Sequence, residues 1–203
     1  MENITELIRK TRTVRRFQKK KIPRKKLVEL LEFTRLGGSA RNSQPLRYMV
    51  LSEEKHCDRI FPLLGWAGYL KDWPGPDQGE RPAAYIICLL DLNRCKGPEC
   101  EAHFDLGIGS QNLLLGAAQM NIFGCRIGSF SKSSVSRIFK LDERFKPLLV
   151  IALGYPAEEV VLEETDKDGD IRYWRDDQGI HHVPKRSLSD ILLEPVFLEE
   201  NSE

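Results

Sequence analysis

The run AAYIICLLD at 83–91 constrains the fold more than any other stretch of the chain. Almost all its side chains are apolar. A strand built from it can turn neither face to water and must lie inside a sheet covered on both sides. PLLVIALGY (147–155) asks for the same cover, and LRYMVLS (46–52) and FGCRIGSF (123–130) read as further strands, the latter ending at Gly128. Helices supply the cover. Ile4, Leu7 and Ile8 share a face in 4–11, and Pro23 opens a second helix with Leu27, Leu30, Leu31 and Thr34 as its buried stripe. That helix stops at Gly37–Gly38. Ser52 is expected to cap a third, 99–121 reads as a long helix that is apolar around much of its circumference, and 133–141 and the SLSDILLEP segment close the series. Strands interleaved with helices, without repeats, predict one α/β or α+β domain over 1–203 with a layered sheet.

Two stretches interrupt this pattern. Residues 65–82, GWAGYLKDWPGPDQGERP, are rich in Gly, Pro and Trp and read as a lid-like surface excursion. Residues 160–183 break into short β pieces at Asp-Gly and Gln-Gly steps, a hairpin insertion. Charge is also uneven. The net charge is +1, yet residues 1–26 hold eleven Lys or Arg against two Glu. Such a segment faces an anion, a phosphate above all, unless it is a nucleic-acid arm or a solvated surface. No apolar run reaches the ~20 residues that span a bilayer. MENITELIRK lacks a secretory core and five cysteines form no framework, which together predict a cytoplasmic protein.

SARNSQPLRY (39–48) carries more hydrogen-bonding side chains than a turn requires. Together with TRTVRRF (11–17), FGCRIGSF, and LGYPAE followed by PKRSL (153–158, 184–188), it resembles the FMN-dependent nitroreductase family in order and spacing. The resemblance runs over about residues 3–193. It implies an α+β fold, a three-layer α/β/α sandwich whose mostly antiparallel central sheet is flanked by helices. It also implies an interlocked homodimer with 99–121 at its centre.

The family's site residues carry over as follows. Arg12, Thr13 and Arg15 hold the phosphate and ribityl end, since guanidinium groups bind phosphate with a two-pronged fork. Thr11 stands where the family often has a further Arg. Ser39, Ala40, Arg41, Asn42 and Gln44 meet the flavin, although Gly38 and Leu46 replace the family's usual Pro and Trp. Ile127, Gly128 and Ser129 bring backbone N–H groups toward the ring, Gly128 permitting close approach because it lacks a Cβ. Lys185 and Arg186 return to the phosphate. Read without the family, these positions are surface charges, turn caps and a helix start. Asp105, Gln111 and Asn112 are given no flavin role.

The implied activity is ping-pong hydride transfer from NAD(P)H to FMN and on to a nitroaromatic, quinone or similar acceptor, with no catalytic side chain. Trp66, Tyr69, Leu70 and Trp73 are the candidate substrate lid, or else packing beneath a Gly/Pro loop. A flavin-binding sensor or carrier without turnover is one alternative, and a nucleic-acid module using 1–26 is another. No metal is expected. Cys95, Cys100 and His103 have the wrong spacing for structural zinc. Successive His181 and His182 on a strand face opposite sides, and DKDGD (166–170) lacks the Gly and closing Glu of a calcium loop.

Overall fold

The computed structural model describes residues 3–165 and 168–195. The chain divides into two compact units, Met1–Glu158 and Glu159–Glu203.

In the first unit the apolar runs become β1 (Leu46–Leu51), β2 (Ala84–Asp91), β3 (Phe123–Ile127) and β4 (Phe145–Gly154), in the order β1-β2-β4-β3. All three pairings are antiparallel. Every residue of β2 is buried, as its sequence demands. Strand alternation divides that burial. Ala84, Ile86 and Cys88 join one core cluster with Leu27, Leu30 and Leu113 from helices on that face. Tyr85, Ile87 and Leu89 join a second with Ile60 and Val135 on the other. Burying each large aliphatic side chain stabilises the fold by about 1.5–3 kcal/mol.

The helices are α1 (Ile4–Lys10), α2 (Arg24–Arg35), α3 (Glu54–Ile60), α4 (Glu99–Gln119) and α5 (Lys132–Ile138). Two local expectations fail. Glu53, not Ser52, occupies the N-cap of α3, and it makes no side-chain cap bond; its carboxylate pairs with Lys55 instead. On α1 only Leu7 is buried, while Ile4 and Ile8 are exposed, because no element described in this chain covers that side. No described helix is long and apolar enough to cross a membrane.

The second unit contains β5 (Val160–Thr165), β6 (Trp174–Arg175), β7 (His181–Arg186) and the single turn α6 (Leu188–Ile191). β6 and β7 form an antiparallel pair, and β5 lies parallel to β7 on its other side. Of the turn expected at 166–170, residues 166–167 lie outside the described residues.

Candidate functional site

The segment 11–17 is not a helix, and it gains its backbone partners from elsewhere in the first unit. The Val14 N–H donates to the Gly124 carbonyl at 3.1 Å, which lays the segment alongside β3. The N–H groups of Arg15 and Arg16 both donate to one Glu158 carboxylate oxygen. Gly124 is required here, since a Cβ would collide with the Ala152 carbonyl on β4.

Arg12 is half-buried. One guanidinium nitrogen donates to the Ile8 carbonyl at 2.6 Å, and its buried Nε has no hydrogen-bond partner. Burial holds its pKa below the usual arginine value. No carboxylate among the described residues neutralises it. A partly desolvated guanidinium without a counter-ion is an anion site in waiting. Thr13 is exposed beside it, and Arg15 is buried against Cys125, whose thiol burial pushes up against the opposing charge of Arg15.

β3 carries the next group of residues. Ile127 is buried at the strand end, while Gly128 and Ser129 are exposed. A Cβ at Gly128 would meet nothing within 4 Å, so the space over this backbone is open. Ser129 and Ser131 tie the base of the 65–82 excursion, through Gly65 N–H to Ser129 O at 2.7 Å and Ser131 N–H to Leu63 O at 3.1 Å. Within that excursion Trp66 is core, with its ring 5.8 Å from that of Phe61. Trp73 and Leu70 are half-buried and Tyr69 is exposed. Arg126, between Cys125 and Ile127, reaches α4 to donate to Ser110 Oγ (3.3 Å) and Gln111 Oε1 (3.0 Å).

The 39–44 segment is fastened to α4. The Ser39 hydroxyl donates to Asp105 at 2.6 Å and the Ala40 N–H donates to the other carboxylate oxygen at 2.8 Å. Ser39 Oγ in turn accepts the Gln44 N–H at 2.9 Å. Arg41 forks onto Glu101 with two bonds, 2.9 and 3.0 Å. Gln44 donates to the Asn42 side chain at 3.1 Å. Arg41, Asn42 and Gln44 have φ of 55°, 50° and 46°. Three non-glycine residues in the left-handed region within four positions store strain of about 1–3 kcal/mol each, a habit of functional loops. The loop borders a cavity of about 490 Å³ whose lining includes Gly38, Leu46, Tyr48 and Asp105. Burial pushes the Tyr48 phenol up to about 12, so it stays a neutral donor.

Lys185 and Arg186 end β7 in the second unit. Arg186 pairs with Asp190 at 3.1 Å, so an acid of the first turn of α6 supplies an anion there. Lys185 is exposed. Glu101 and Glu158 were not singled out in the sequence, and Asp105 was named there only without a flavin role, yet all three hold the candidate segments in place. Asp105 carried one signal, an acid next to Leu106 on a helix that is apolar around much of its circumference.

The nitroreductase family model matches residues 8–155. The chain belongs to the nitroreductase family. A Methanothermobacter thermautotrophicus protein provisionally named NADH dehydrogenase/NAD(P)H nitroreductase is 27% identical over 161 residues, covering 77% of this chain and 78% of its own. Among solved structures, a provisionally named nitroreductase from Desulfovibrio desulfuricans, in complex with FMN, superposes with a TM-score of 0.71 at 23% identity, covering 98% of this chain and all of its own. A nitroreductase family protein from Streptococcus pneumoniae gives 0.65 at 21% identity over 77% of this chain and 92% of its own. The nitroreductase fold expected from the sequence is therefore the one observed.

Proposed function

We propose that this nitroreductase family member is an FMN-dependent oxidoreductase, working as a homodimer and passing hydride from NAD(P)H to a nitroaromatic, quinone or similar small acceptor. The observation that carries the reading is Arg12, a half-buried cation without a counter-ion, on a segment bonded to β3, the strand that ends at Ile127 just before Gly128. When bound, FMN supplies the two-electron chemistry, accepting hydride from the nicotinamide and releasing it to the acceptor.

The chain's own residues bind and orient. Arg12 and Arg15, with the Thr13 hydroxyl, take the phosphate and ribityl chain. Ile127, Gly128 and Ser129 offer backbone N–H groups to the ring edge across the open space over Gly128. Ser39, Ala40, Arg41, Asn42 and Gln44 form a polar wall whose shape Asp105 and Glu101 fix. Trp66, Leu70 and Trp73 support the excursion from below, leaving Tyr69 as its exposed aromatic.

The test is the visible spectrum of the purified protein, followed by anaerobic addition of NADH or NADPH. A yellow protein bleached by either nicotinamide and recoloured by a quinone is the expected result. A colourless protein that FMN does not reconstitute sinks the proposal. A yellow protein that neither nicotinamide bleaches turns it into a flavin carrier or sensor.

A further inference from the structure

The basic run that follows Phe17 takes no part in the flavin site described above. Lys19, Lys20 and Lys21, all exposed, border a cavity of about 640 Å³ together with Arg81. The volume is that of a small-molecule site, and its lining shares no residue with the flavin candidates. The four cations face two carboxylates there, Glu54 and Asp58. Asp58 lies 4.0 Å from Arg81, at the limit of an ion pair. Lys20 sits over the Tyr155 ring at 4.1 Å, and among the described residues neither Lys19 nor Lys21 is joined to a carboxylate. Among the described residues the excess positive charge is therefore unrelieved.

Two buried donors in the same lining also lack partners. Tyr85 is fully buried, and its hydroxyl has no hydrogen bond. Burial pushes its pKa up, with Arg81 and Asp58 the charges that bear on it, so the phenol remains a donor among groups of this cavity. Burial likewise pushes the Cys57 thiol up to about 11. The Nε of Arg81 is buried without a partner, while its guanidinium carbon lies over the Phe61 ring, 3.9 Å from the centroid. Buried donors left unsatisfied are costly, and they explain themselves when a ligand completes them.

We propose that this cavity is a second binding site, for a phosphate-bearing small molecule of about nucleotide size, separate from the flavin. Lys19, Lys20 and Lys21 provide point charges for the phosphates and Arg81 a planar fork held in position by Phe61. Glu54 and Asp58 accept hydrogen bonds from hydroxyl or amino groups on the rest of the molecule. Those acceptors favour a nucleotide or sugar phosphate over bare phosphate.

Titration calorimetry of the flavin-loaded protein with ADP, and separately with pyrophosphate, tests this. ADP is expected to bind once per chain, more tightly than pyrophosphate. Lys19→Ala/Lys21→Ala and Arg81→Ala each weaken it at least tenfold, and Tyr85→Phe weakens it several-fold. Flavin content and the visible spectrum stay unchanged in all three, which separates this site from the flavin reading. Because Arg81 also covers Phe61, the surface double-lysine variant keeps the test decisive if Arg81→Ala misfolds. Displacement of ADP by NADPH would make a pyridine nucleotide the occupant, and its absence a free phosphorylated metabolite. The proposal is overturned if neither probe binds saturably, if binding ignores the lysine variant, or if only duplex DNA binds through those lysines.

Discussion

Asp105 shows how one carboxylate can decide the shape of a loop. It is 5% exposed and accepts from both the Ser39 hydroxyl and the Ala40 N–H, which obliges the chain to enter the strained turn at 41–44. Asp105→Ala leaves two donors without their charged acceptor. We expect a loss of about 2–3 kcal/mol in urea unfolding, accompanied by weaker FMN binding in a fluorescence titration. Arg12→Lys tests a different point. The charge survives but the fork is lost, so FMN affinity should fall by about tenfold or more while the unfolding midpoint barely moves. The surplus of polar side chains at 39–44 was legible in the sequence, as was the choice of guanidinium for phosphate. The grip of Asp105 on Ser39 was not, because it joins positions 66 apart and no local pattern announces such a bond.

Elements dominated by one interaction were the easiest to read. β2 and β4 could be recognised from apolar content alone, and α4 from its length. The three-stranded sheet of the second unit was harder, since its order depends on pairing between runs that are only half-apolar. There β6 and β7 are clasped through His182, whose Nδ1 lies 2.6 Å from Glu163 on β5 and whose Nε2 lies 3.3 Å from Asp176. Trp174 stacks on its ring at 4.1 Å. Burial works to lower the His182 pKa, but hydrogen bonds to Glu163 and Asp176 outweigh it and hold the value above the ordinary one. A raised histidine stabilises the folded state fully below about pH 6.5, and the contribution is lost as pH rises through the raised value. For Asp176 burial acts to raise the pKa, yet bonds from the Ile180 N–H and His182 keep it low. Its contribution is present above about pH 4 and lost on further acidification. Urea midpoints should therefore decline between pH 6 and 8, and decline less in His182→Gln. Equal slopes in the two proteins would remove the clasp from the account.

At the scale of the whole molecule, the exposed apolar side chains are the informative ones. Phe104 (70% exposed) and Ile108 (43%) lie one turn apart on α4, and Leu36 (72%), Ile4 (59%) and Ile8 (47%) are bare as well. The homodimer proposed above would cover such side chains. Sedimentation is expected to give a dimer at micromolar concentration, and Phe104→Glu a monomer that keeps its far-UV circular dichroism. The sequence announced an apolar circumference for the helix but not which arc of it stays bare, because that depends on how α1 and α2 pack. α4 has a further consequence. Glu101 and Asp105, which shape the 39–44 wall, alternate along the same helix with Phe104 and Ile108. Self-association and cofactor occupancy then obey one mass-action law: dilution should bleach the protein, and added FMN should hold dilute chains together.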